Sequence, residues 1–240
     1  MTTLVKILIT LFLALFVSSC AFDVNFGNGK KGNGVVVEES RNVSEDFTSV
    51  HASEGIDVFV TQNDAFKISI EADENIIDLI GTDVKNGRLK IHAIENIGRA
   101  TKKVYVSLPD VTALESSSGA DLIAQNLIES ERIELDASSG SEIQVELSAR
   151  EVTADASSGA DIKVSGTTQV LYADASSGSD IRAKNLFTKQ CTADASSGAD
   201  ISVNVSESLI ADASSGADIS YTGDATVQTK KSVSGSVHKY

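Results

Sequence analysis

A ten-residue phrase, TADASSGADI at 153–162, returns unchanged at 192–201 and as IADASSGADI at 210–219. Anchoring each copy on its glycine gives Gly119, Gly140, Gly159, Gly178, Gly198, Gly216 and Gly235, spaced by 21, 19, 19, 20, 18 and 19 residues. A period near twenty predicts a solenoid, in which each unit buries its apolar face only by stacking on its neighbours.

Alignment by column decides between helical and β rungs. Seven residues before the glycine stand Ile133, Val152, Leu171, Cys191 and Leu209; five and three before it are mostly alanine, as in Ala154 and Ala156. Three after it runs an unbroken Leu122, Ile143, Ile162, Ile181, Ile201 and Ile219. The intervening positions are polar, so the alternation has period two and predicts strands with one buried face. The Ser-Ser-Gly must bend the chain without breaking this phase, glycine supplying a permissive backbone. The remaining residues of each rung carry one apolar side chain (Leu127, Leu147, Leu186, Val205) and read as a looser third side. The expected fold is all-β: a parallel β-helix of six to seven rungs of 19 to 20 residues, preceded by an irregular β-rich N-terminal part. One proline in 240 residues fits unbroken strands.

The N-terminal part divides differently. Lys6 precedes an apolar run, Ile7 to Val17, which ends in VSSC. It is too short to span a bilayer comfortably and has the shape of an export signal. Small residues before a cysteine resemble the lipobox of bacterial lipoproteins, which makes Cys20 the expected lipidation site; the alternative is a plain secretory signal with an incidental cysteine. The expected parts are a signal peptide (1–19), a Gly- and Asn-rich tether (20–34), a β-rich part (35–110) and the repeat β-helix (111–240). In the β-rich part, ENIIDLI (74–80) suggests a short helix and KNGR (85–88) a hairpin turn. Acyl chains on Cys20 would hold the chain on a membrane without a spanning helix; Ala21, which is not acidic, leans towards the outer membrane by analogy with other lipoproteins. Only Cys191 then remains, excluding an internal disulfide, and its aliphatic column makes it a buried, inert thiol.

A net charge of −14 argues against a nucleic-acid partner. Much of it lies in two outward columns. Asp136, Asp155, Asp174, Asp194 and Asp212 stand four before the glycine, and Asp161, Asp180, Asp200 and Asp218 two after it. Glu115 extends the first column; Asp121 and Glu142 extend the second. At a strand spacing of about 4.8 Å, neighbouring unit charges repel by about 0.9 kcal/mol in water, so something must offset the sum. Two readings stay open. The nine aspartates are candidate Ca²⁺ ligands, since Ca²⁺ takes six to eight oxygens. Alternatively they are solvated turn residues that bond nearby N–H groups. Neither an EF-hand loop nor a calcium-binding nonapeptide repeat occurs.

Catalytic signatures are lacking. His51, His92 and His238 fall outside the regular rungs with no metal-ligand spacing, and no GxSxG, HExxH, CxxC or Walker loop is present. A ladder of near-identical acids offers no single asymmetric site. A groove holding two acids beside an aromatic would favour a carbohydrate-active enzyme; a uniform acidic face would favour binding or architecture.

SEGIDVFVTQ (53–62), ENIIDLIGTDVKNGRLKI (74–91), KVYVSLPDVTALESSSGADL (103–122) and the repeated ASSGADI closely resemble the head GIN domain family over residues 45 to 225. Its members carry the provisional name of auto-transporter adhesins and are widespread as exported lipoproteins of the Bacteroidetes. The resemblance implies a β-rich start running into a right-handed parallel β-helix, and no catalytic residue. The expected role is a non-catalytic, lipid-anchored envelope protein, exported and on the outer membrane, whose partners are the membrane and a surface glycan or protein. A purely architectural role and a β-helix enzyme are the rivals.

Overall fold

The computed structural model describes residues 29–229 and 234–240. The expected signal peptide, Cys20 and the first part of the expected tether lie outside the described residues. Nine short strands come first: β1 (Val36–Arg41), β2 (Ser49–Ala52), β3 (Asp57–Gln62), β4 (Lys67–Asp73), β5 (Ile80–Lys85), β6 (Arg88–Ala93), β7 (Lys102–Leu108), β8 (Ala113–Ser116) and β9 (Asp121–Ala124). Long ones follow: β10 (Ile128–Ser138), β11 (Glu142–Ser157), β12 (Asp161–Ala175), β13 (Asp180–Ala195) and β14 (Asp200–Ala213). β15 (Asp218–Thr222), β16 (Thr226–Thr229) and β17 (Ser236–Lys239) complete the chain.

The long strands stack in parallel with like on like. Ile143 faces Ile162, then Ile181, Ile201 and Ile219; Ala154 faces Ala173, Ala193 and Ala211. All are buried. The result is a parallel β-solenoid of about six turns with an irregular N-terminal β part.

The corner explains why identical phrases recur. In the rung at Gly159, Ser158 and Gly159 both have positive φ (55° and 72°), and Ala160 N–H donates to Ser157 O at 3.2 Å. Two consecutive left-handed residues closed by such a bond make a type I′ turn. The glycine N–H of each corner donates to the second serine carbonyl of the next: Gly119 to Ser139, Gly140 to Ser158, Gly159 to Ser177, Gly178 to Ser197, Gly198 to Ser215. The main-chain ladder therefore runs round the corner. A Cβ on Gly159 would meet nothing within 4 Å, so conformation alone selects glycine there. Gly166 differs: its added Cβ would lie 1.9 Å from Leu147 O, where two third sides pack backbone on backbone.

The N-terminal part belongs to the same stack. Glu54 and Gly55 have φ of 62° and 66°, and Gly55 N–H donates to Ser118 O, so HASEGID forms a corner without the Ser-Ser-Gly spelling. β2 and β3 are its arms. β8 and β9 pair with them on one side, and β6 and β7, later in sequence than β2 and β3, on the other. Antiparallel strands then close this end: β5 on β6, β4 on β7 and β1 on β4. The predicted KNGR turn joins β5 to β6, with Asn86 and Gly87 at φ of 53° and 75°. One apolar core runs from Phe47 to Ile219.

Three local expectations differ from the structure. Residues 74–80 hold a single 3-10 turn, Ile77–Leu79, because Ile76, Ile77 and Ile80 are all drawn into the core and β5 starts at once. Leu127 is 42 % exposed, and Ile128 takes its place in the third-side column opposite Leu147. Residues 29–34 of the expected tether are held on the fold. Lys30 N–H donates to Asn96 O, and the buried Asp73 carboxylate accepts from the Gly34 and Thr101 N–H groups at 2.5 and 2.6 Å.

Gly159→Ala is expected to destabilise the fold by about 1–2 kcal/mol through its left-handed backbone, and Gly166→Ala by more, through its steric clash. Ser158→Asn, which suits a left-handed position better, is expected to stabilise by about 0.5 kcal/mol. Urea unfolding midpoints measure all three; a destabilising Ser158→Asn would mean that the serine side chain, not the backbone, is what the corner requires.

Candidate functional site

Period-two alternation and exact in-register stacking leave the two acidic columns on the surface as continuous rows. In the first, His51 faces Glu115, followed by Asp136, Asp155, Asp174, Asp194 and Asp212. In the second, Lys103 faces Asp57, followed by Asp121, Glu142, Asp161, Asp180, Asp200, Asp218 and finally Ser236. The nine predicted aspartates therefore share two rows, five in the first and four in the second, on opposite arms of the corner. Among the described residues no group of three or more His, Cys, Asp or Glu side chains is placed to hold a metal ion.

On β12 and β13 a cation stands two residues beyond the second row: Lys163 lies 2.8 Å from Glu142, and Arg182 lies 3.0 Å from Asp161 and 2.5 Å from Asp180. On β17 the His238 ring lies 3.7 Å from Asp218. In the first row, Asp136, Asp155 and Asp174 make no ion pair among the described residues. Burial against the strand surface pushes the Asp155 carboxyl above its ordinary range, with Asp174 and Asp136 adding to it. Asp174 is raised by burial and then by Asp194. Burial also raises Asp121, Asp161 and Asp200, and Arg182 partly opposes this at Asp161.

His51 continues the first row into the irregular N-terminal part, outside the regular rungs as expected, and stands between Glu115 and Lys90. Arg88 Nη2 lies 2.9 Å from its Nδ1, and Ser117 Oγ lies 3.0 Å from its Nε2. A guanidinium only donates, so Nδ1 accepts and Nε2 carries the proton towards Ser117. That is the reverse of a base activating a serine. Burial, then Arg88 and Lys90, lower the His51 pKa to about 4. Arg88 also pairs with Glu115, bridging the row's first acid to the ring.

Two grooves break the uniformity of the surface. The first lies on the N-terminal part: Glu38 and Glu71 face each other across the β1–β4 pair, beside Tyr105. Glu71 accepts from Lys103 at 3.2 Å and from the Tyr105 hydroxyl at 3.1 Å, and Glu38 from Ser69 at 2.8 Å. The second runs along the third side and contains Phe187. Sequence reading passed over both, the first because its acids come from an antiparallel cap and the second because Phe187 has no counterpart in other rungs. Cys191 is buried where expected, its thiol pushed up to about 12 by burial.

Residues 46–225 match the family described as "putative auto-transporter adhesin, head GIN domain". Among solved structures, a "putative adhesin" from Bacteroides fragilis superposes with a TM-score of 0.80 at 20 % identity, covering 88 % of this chain and all of that one. A "putative adhesin" from Parabacteroides merdae gives 0.72 at 18 % identity, over 88 % of this chain and 99 % of that one. A "putative lipid binding protein" from Parabacteroides distasonis gives 0.70 at 21 %, with the same coverages. At such identities the likeness is one of fold. No curated protein matches the chain.

The raised carboxyls fix the sign of the pH response. A carboxylate whose folded pKa exceeds its unfolded one binds more protons when folded, so stability rises as pH falls from neutrality into the raised range. The gain ends at the ordinary carboxylate pKa of about 4. His51, its pKa held down at about 4, acts in the opposite sense, because below pH 6.5 the unfolded chain takes up its proton first. The carboxyl contribution is therefore expected as a higher melting temperature at about pH 5 than at pH 7.5 in a His51→Gln variant, which removes that opposing titration. Asp155→Asn should raise the melting temperature at pH 7.5 and flatten the profile; a lower melting temperature would show the carboxylate to be a needed acceptor.

Proposed function

The chain belongs to the head GIN domain family, and on that premise we propose that it is a non-catalytic binding protein of the cell envelope, lipid-anchored through Cys20 and carried on the outer membrane. The observation that carries this reading is the solenoid's lateral surface. It repeats with the strand spacing over successive rungs and presents rows of groups to solvent, which suits the grip of an extended surface partner. The one serine–histidine contact in the rows points its proton the wrong way for a nucleophile and leaves the ring a weak base. The names of the neighbouring structures, two a "putative adhesin" and one a "putative lipid binding protein", support a binding role over chemistry.

A carbohydrate-active enzyme is the second reading, and the groove where Glu38 and Glu71 stand beside Tyr105 favours it. Both carboxylates already accept bonds from protein donors, so substrate would have to displace Lys103 and Tyr105 from Glu71 to use it. Release of reducing ends from oligosaccharides, abolished by Glu71→Gln, would establish this reading over the first.

For the binding role, cells carrying the full chain are compared with cells carrying Cys20→Ser for incorporation of labelled palmitate, outer-membrane fractionation and retention on immobilised envelope glycans and proteins. The expected result is label and membrane association in the first alone, with several-fold greater retention. Label and fractionation without retention would make the protein architectural; no label in either would remove the lipid anchor.

A further inference from the structure

The rung from Gly178 to Gly198 is one residue longer than the two before it. Its extra residue is absorbed between Arg182 and Asn185, where the pairing of β13 with β12 passes from Lys163–Arg182 to Ser165–Asn185. A one-residue slip exchanges the faces of every following side chain. Strict alternation from Ile181 would carry Phe187 inward; the slip puts Leu186 into the core and leaves Phe187 66 % exposed. A free aromatic face thus stands on a solenoid whose other outward positions are overwhelmingly polar.

The ring lies in an open groove of about 640 Å³ that crosses β10 to β14, from Ser130 to Ser206. Five rungs at strand spacing span about 19 Å along the solenoid axis. Thr167 and Ser148, in register with Phe187, line it with hydroxyl groups, and Asn204 adds an amide. Arg150 and Lys189 line the next outward column, two residues further along β11 and β13 than Ser148 and Phe187. Register places both opposite Gln169, one on each side, about 10 Å apart across two rungs. Both are exposed, and neither forms an ion pair among the described residues, although the chain carries a charge of −14. Glu131 lines one end of the groove, opposite Arg150 by the register of its neighbours, so the lining carries two cations to one acid. A net positive groove on so acidic a protein selects for an anion. The groove offers a peptide little: β11, β12 and β13 are paired on both sides, so no main-chain edge is free.

We propose that this groove binds an acidic oligosaccharide, extended along the solenoid axis. One sugar unit per rung lays the C–H face of a ring on Phe187, and carboxylates on alternate units meet Arg150 and Lys189. The proposal names the ligand class of the binding role above and rests on that reading.

The test is affinity electrophoresis of the full chain in detergent, through gels holding polygalacturonate, hydroxyethyl cellulose or polyglutamate. Retardation is expected in polygalacturonate alone. Phe187→Ala, an exposed change that leaves the core intact, is expected to weaken it about tenfold. Arg150→Gln with Lys189→Gln is expected to remove the preference for the acidic polymer together with its salt dependence. No retardation in polygalacturonate, equal retardation in the neutral gel, or retardation that survives both variants overturns the proposal; equal retention by polyglutamate overturns the sugar in favour of an acidic peptide. Retention of cells on envelope material without retardation in the gels would sink the groove and spare the binding role, whereas loss of both sinks the two together.

Discussion

The structure depends on the hydrogen bond that each corner glycine donates to the corner of the next rung. Two left-handed residues in succession turn the peptide between them along the stack axis, so the ladder passes the bend without leaving polar groups unmet. From this follows register: corners that must bond to one another align the arms on either side, and period-two alternation then carries every column into alignment. Alanine beside isoleucine, repeated rung after rung, stacks the core in matching buried columns because both arms enter it at fixed heights. The Glu54–Gly55 corner shows that the constraint is one of backbone and not of spelling, since Gly55 joins the same ladder through Ser118.

The same register that aligns methyl groups also aligns charges. A core column of isoleucines implies, one residue away, a surface row of aspartates at strand spacing. The second row answers this with Lys163 and Arg182 in the adjacent column, which hold three of its acids directly. In the first row the carboxyl groups of Asp155 and Asp174 rise above their ordinary range, the mark of burial and like-charge neighbours combined. The rows repeat without distinguishing one rung from the next; the repeat is broken at the antiparallel cap, with Glu38, Glu71 and Tyr105, and in the long rung that presents Phe187.

Much of this was legible in the chain. The twenty-residue period, the alternation, the columns and the burial of Cys191 are all encoded between near neighbours, and each rung tests the reading of the last. The family resemblance rests on the order of motifs and agrees with the match over residues 46–225. Local reading erred at Leu127, because two adjacent apolar residues fit the column equally well until pairing with Leu147 chooses Ile128. It erred again at 29–34, where a Gly- and Asn-rich segment is tied down by the side chain of Asp73, some forty residues away.

By itself, then, the sequence determined a β-solenoid with a small-residue core and acidic rims, because alternation and spacing are local properties that repetition amplifies. Tertiary structure alone decided that β6 and β7 stack outside β2 and β3, since that order is a choice among long-range pairings that no local pattern records. It alone placed His51 against Arg88 and Ser117, from distant segments of chain. And it alone turned Phe187 outward: the direction of a strand side chain depends on the count of residues since the last fixed point, and the slip before Asn185 changed that count by one.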